Sequence, residues 1–232
     1  MTNPYLLKEG SHRTPKEGRC AMEWVAHLAG EPHTDTPECV SPVLRDFCVV
    51  FNDRVSGERR QRLRPYLARM IGTADDGFDE QRRWLCVDWL LREFMPAFLE
   101  LAPRHRKDAD ALRALPAIKS KSDAEHARRI LVSVCERSIA GWPRWSCNKT
   151  PCWEALNTAG RAFLPVFGVW AAAKIAVEVA SRDVEFMNAV PSLVEIGLQD
   201  RILASGGLLD RMLPTEVVRV PVVSEWREIC CA

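Results

Sequence analysis

The chain has 232 residues, 32 lysines and arginines against 31 aspartates and glutamates, and nine cysteines. A chain of this length can bury a core without disulfides or metals to staple it. Its formal net charge of +1 excludes any global pull toward nucleic acid or an anionic membrane, so a polyanion would have to meet a local patch.

The cysteines are odd in number, mostly isolated within apolar stretches, and follow no charged-then-apolar leader. This predicts reduced thiols in the cytoplasm, with Cys48, Cys86 and Cys135 as core residues. The longest uncharged apolar stretch, 162–173, is interrupted by Pro165 and Gly168. A spanning helix needs about 20 such residues, so no membrane partner is expected.

Residues 1–19 are polar, rich in Pro, Gly and charge, and show no period, which predicts an irregular N-terminal arm. From Cys20, Ala21, Trp24, Val25 and Leu28 recur at helical spacing, and Gly30 stands where a left-handed C-cap is expected. Glu31 to Val40, with two prolines and several Thr and Asp, reads as a structured loop. Ser41-Pro42 supplies an N-cap and a first-turn proline for a second helix through Val43, Leu44, Phe47, Cys48 and Phe51, stopping near Asn52. A third helix over Leu63 to Ile71 ends at Gly72 and begins or bends at Pro65. A fourth runs from about Asp79 to Phe94, where Pro96 should kink or end it. Ser122 with Glu125 forms a capping-box pattern, predicting a helix from Ser122 to about Ala140.

Residues 141–150 read as a loop carrying Trp142 and Trp145, followed by further helices and one alternating segment, 217–223, in which Pro221 disfavours a central strand. With no Gly-rich phosphate loop and no strand–helix alternation, the expected class is all-α, an irregular multi-helix bundle. Residues 20–232 are expected to form a single helical domain with a subdivision near 141–150.

The run Gly18 to Ala26, followed by Ala29-Gly30-Glu31-Pro32-His33-Thr34-Asp35, Pro37, Cys39 and Ser41-Pro42-Val43, resembles a pattern in uncharacterised proteins of actinobacteria and their phages. The likeness extends more loosely through Asn52-Asp53, Pro65, Asp88-Trp89 and Pro96, and the sequence departs from that group after about residue 120. The resemblance implies a bacterial or phage source and a helical fold, and it implies no chemistry.

Potential metal donors are densest in Cys20, Glu23, His27, Glu31, His33, Asp35 and Cys39. Thiolate, imidazole and carboxylate are the usual zinc donors, making Cys20, His33, Asp35 and Cys39 the candidate ligand set and zinc the one candidate cofactor. The irregular gaps also fit a local reading, in which Glu23 caps the helix or pairs locally, His33 and Asp35 tie the loop by hydrogen bonds, and both Cys20 and Cys39 are buried. A third reading makes Cys20, in the first turn of a helix, a nucleophile with His33 and Asp35 as base and orienter.

Six arginines between Arg54 and Arg69 could form a phosphate-binding face for nucleic acid, with Arg59, Arg60 and Arg62 at its centre. Trp142 and Trp145 suit an interaction surface, because Trp and Arg dominate binding hot spots. The reading drawn from these features is a non-catalytic helical module that binds a protein, the alternative being a zinc-dependent or thiol enzyme using the Cys20–Cys39 segment.

Overall fold

Helix α1, Ala21–Ala29, begins where Cys20 and Glu23 form a reciprocal capping box. The Cys20 sulfur accepts from Glu23 N at 3.5 Å, while the Glu23 carboxylate accepts from Cys20 N at 2.7 Å. Two of the orphan donors of the first turn are thereby satisfied. The helix ends as its sequence predicts. Gly30 is left-handed at φ 78°, and Glu31 N returns to Ala26 O at 2.9 Å, the Schellman arrangement.

The computed structural model describes residues 5–55, 57–100, 105–141, 207–215 and 229–230. Trp142, Trp145, the helices expected after residue 150 and the alternating segment 217–223 lie outside the described residues. Within them the fold is all-α and multi-helical, with no strand, and no helix is long and apolar enough to cross a membrane.

Helix α2, Pro42–Arg54, is capped by Ser41, whose Oγ accepts from Leu44 N at 3.4 Å and donates to Asp79. A short α3, Gly57–Gln61, precedes a 3-10 turn at Arg64–Tyr66, which leads into α4, Leu67–Met70, and left-handed Gly72. Pro65 sits inside that 3-10 turn, where its missing N–H costs nothing, so of the two outcomes expected there it is the start of a helix that is observed.

Pro96 neither ends nor breaks its helix. Helix α5, Asp79–Trp89, widens into a π turn at Leu90–Phe94 and continues as α6, Met95–Leu99. Met95 N bonds Leu90 O, five residues back. Widening the turn just ahead of Pro96 accommodates a residue that has no N–H to give and would crowd the carbonyl four residues back.

Helix α7, Arg106–Arg113, was not expected from the sequence, and α8 covers Lys121–Gly141. The cap of α8 corrects the predicted box by two residues. Ser120 Oγ accepts from Asp123 N at 3.3 Å and donates to the Asp123 carboxylate at 2.8 Å, replacing the expected Ser122–Glu125 pair. Helix α9 is Leu208–Met212.

The chain divides into two compact units, residues 1–82 with 202–232 and residues 83–201. In the first, α1 packs on α2 and α4. Met22, Leu28, Leu44, Phe47, Phe51, Leu63, Leu67, Met70 and Leu208 are buried there, each contributing about 1.5–3 kcal/mol relative to exposure. In the second, α7 packs on α6 and α8, with Leu91, Met95, Leu99, Leu112, Leu115 and Leu131 buried. Cys48 and Cys86 are core residues as expected.

Candidate functional site

Two members of the donor-rich segment singled out in the sequence, Cys20 and His33, meet at a third, Glu23, which is 1% exposed. Its place at the third position of α1 follows from the capping box, which turns the carboxylate back toward the entering chain. Oε2 accepts from Cys20 N at 2.7 Å and from His12 Nδ1 at 2.8 Å, and Oε1 accepts from His12 N at 2.5 Å. His33 Nε2 lies 3.7 Å from Oε1 and donates to His12 O at 2.9 Å.

Burial works against the ionised form of Glu23. The N–H groups of His12 and Cys20 and the His12 imidazole outweigh it, holding the carboxyl below its ordinary range. Cys20 responds in the opposite direction. Burial, together with the Glu23 carboxylate, pushes its thiol up to about 12, although backbone N–H donors at the cap favour the thiolate. This environment favours the neutral thiol over the thiolate.

Of the four expected metal ligands, the structure brings Cys20 and His33 to Glu23. Cys39 belongs to a different network. Glu31 accepts from Glu38 N at 2.8 Å and from Cys39 N at 2.9 Å, and Cys39 O accepts from Gly72 N and Ala74 N. The Cys39 thiol is also raised, to about 12, by burial and by the Glu31 carboxylate. Asp35 makes no hydrogen bond or ion pair with the described residues, so the loop is tied by Glu31 and His33 and not by Asp35. Among the described residues no three His, Cys, Asp or Glu side chains are grouped to hold a metal ion. His12, the second imidazole on Glu23, lies in the arm that has no periodic pattern, and nothing in its local sequence announces it.

The arginine region is turned inward more than its charge suggests. Arg60 is 7% exposed. Its Nε donates to Asn52 O at 2.5 Å, and its Nη2 donates to Val55 O and pairs with Glu9, each at 3.1 Å. It therefore does not lie on the expected face, whereas Arg62 is exposed and Arg59 half-buried. Arg64 Nε donates to Ile229 O at 2.6 Å, and Arg69 Nε to Pro214 O at 3.0 Å while its fork pairs with Asp210. Arg82, 2% exposed, donates from Nε to Met212 O at 2.9 Å and pairs with Asp76 and Asp79. These three guanidinium groups hold the main-chain carbonyls of Ile229, Pro214 and Met212. Trp142 and Trp145 of the expected binding surface lie outside the described residues.

No family model matches the chain, and neither does any curated protein or solved structure.

Proposed function

We propose that this chain works by binding, as a helical module for a protein partner, and that its polar clusters serve the fold and not catalysis. The observation that carries the reading is the commitment of the Glu23 node. A general base must reach a substrate proton, and a thiol nucleophile must reach its thiolate. Glu23 is 1% exposed, with both oxygens taken by N–H donors, and Cys20 is 4% exposed with its thiol raised. A protein is favoured over a polyanion because Arg60, Arg64, Arg69 and Arg82 spend donors on main-chain carbonyls.

Elemental analysis of protein expressed in zinc-replete medium, combined with a short alkylation pulse at neutral pH, tests this reading. The expected result is metal-free protein in which Cys20 stays unlabelled until the chain unfolds. Stoichiometric zinc, or prompt stoichiometric labelling of Cys20 in the folded chain, would overturn it in favour of a zinc-dependent or thiol enzyme.

A further inference from the structure

Residues 7–12 contain no helix or strand, so their main-chain polar groups must find partners elsewhere. Most find them on side chains of the helical body, while Lys8 N donates to Arg19 O at 2.9 Å and His12 O accepts from His33 of the loop after α1. Gln61 meets Leu7 at two points, accepting from Leu7 N at 2.8 Å and donating to Leu7 O at 2.9 Å. Asn52 donates to Lys8 O at 2.9 Å, Asp53 accepts from Gly10 N at 2.8 Å, and Glu23 accepts from His12 N at 2.5 Å. Leu7 is buried at 2% exposure, while Leu6, Lys8 and Glu9 stay exposed. This is how a groove reads a peptide: four side chains hold the main chain, and one anchor side chain sets the register.

We propose that this groove can take residues 7–12 from a second copy of the chain, so that two protomers exchange arms. The second copy is the occupant because its segment is identical to the one the groove already fits. Each groove contact made within one chain is remade between two. What must change is the connection from Arg13 to Arg19. That connection is a local turn, closed by Glu17 N to Thr14 O at 3.1 Å and by the Glu17 carboxylate on Arg13 N at 3.1 Å, and Lys8 Nζ of the arm donates to Glu17 O at 2.6 Å. It passes through Gly18 at φ 141°, where a Cβ would meet Lys8 Cδ at 2.4 Å. Drawn out, its seven residues reach about 24 Å. The turn is exposed through residues 13–17, so opening it sacrifices local hydrogen bonds and little buried surface. The exchange is independent of the partner proposed above, because it concerns only the arm and its groove.

Two disabled full-length chains test the exchange by complementation. Leu7→Asp spoils the arm and leaves the groove, while Gln61→Ala with Asp53→Ala spoils the groove and leaves the arm. The expected result, read by size exclusion with light scattering, is a single chain mass for each variant alone and a doubled mass for their mixture. Mixing the Leu7→Asp chain with a chain carrying all three substitutions should leave single chains only. A mixture of the two disabled chains that stays at the single-chain mass, with both helical by circular dichroism, would overturn the proposal, as would equal association in the control mixture. Should Leu7→Asp fail to fold, Leu7→Ala weakens the same anchor and is read in the same way.

Discussion

Glu23 Oε1 and the main-chain N–H of His12 meet at 2.5 Å, so one carboxylate of helix α1 fixes the arm that leads into that helix. The same carboxylate accepts the N–H of its own cap residue and the His12 imidazole, and His33 closes on His12 O from the following loop. Three chain segments without regular pairing of their own are thus referenced to one buried charge. A charge so placed is stabilised only while its donors remain.

Replacing Glu23 with Gln keeps the shape and removes the charge. It also puts an NH2 group where an acceptor is needed against His12 N, His12 Nδ1 or Cys20 N. The expected cost is about 1–3 kcal/mol, that of leaving buried hydrogen-bond partners unmatched, seen as a lower midpoint in denaturant unfolding. An unchanged midpoint would mean that the node contributes nothing to stability.

The lowered pKa values of Glu23 and Asp76 fix the sign of the pH dependence. Burial raises each, and hydrogen bonds outweigh it: from His12 and Cys20 for Glu23, from Arg82 and Phe78 N for Asp76. The folded values lie below the ordinary 4.5 and 3.8, so the folded state binds fewer protons than the unfolded one in this range. Their stabilisation is fully present above about pH 4.5 and is lost as pH falls through the depressed folded values. Unfolding free energy measured from pH 6 downward should fall below pH 4.5, and the Glu23→Gln chain should show a shallower fall. A slope identical in the two chains would remove Glu23 from the account.

Both ends of α1 were legible locally, its start from the helical spacing of Ala21, Trp24, Val25 and Leu28 and its end from Gly30, although the cysteine half of the Cys20–Glu23 box was not announced. The capping-box pattern misplaced the start of α8, since Ser-x-x-acid occurs at both Ser120 and Ser122, and spacing alone does not choose between them. Helix α7 was passed over because its charged run hides the buried face of Ala109 and Leu112. The arm and the arginines were least legible. His12 reaches Glu23 across eleven positions, and Arg64 reaches Ile229 across 165, so no local period records either contact. For the same reason, a cluster of arginines that reads as a polyanion face in sequence contains inward-facing members.

Arg60 and Arg62 separate those two roles. Arg60→Ala strands the carbonyls of Asn52 and Val55 and should cost about 1–3 kcal/mol. Arg62→Ala, at an exposed position, should stay within about 0.5 kcal/mol. Retention on heparin should respond in the reverse order, with Arg62→Ala eluting at lower salt and folded Arg60→Ala near the parent. Equal losses of stability for the two chains would contradict the inward placement of Arg60.

Arg82 gives the sharpest test of how α9 is held. It is buried and fully engaged: Nε on Met212 O, Nη1 on Asp76 and Asp79, and Nη2 on Asp76. Removing it leaves the Asp76 carboxylate without its cation and Met212 O without its donor. Breaking a buried pair by deleting one partner costs about 3–5 kcal/mol, and Asp76 is partly exposed, so Arg82→Ala should fall at or below the lower end of that range. Arg82→Lys should recover little, because one ammonium cannot present the planar fork that spans a carbonyl and two carboxylates. Hydrogen exchange locates the effect. Amides of residues 208–213 should exchange faster in Arg82→Ala, while those of α1, held by the Glu23 node, should change only as far as global stability falls. If α1 and α9 accelerate by the same factor, and that factor matches the loss of global stability, Arg82 does not anchor α9 locally.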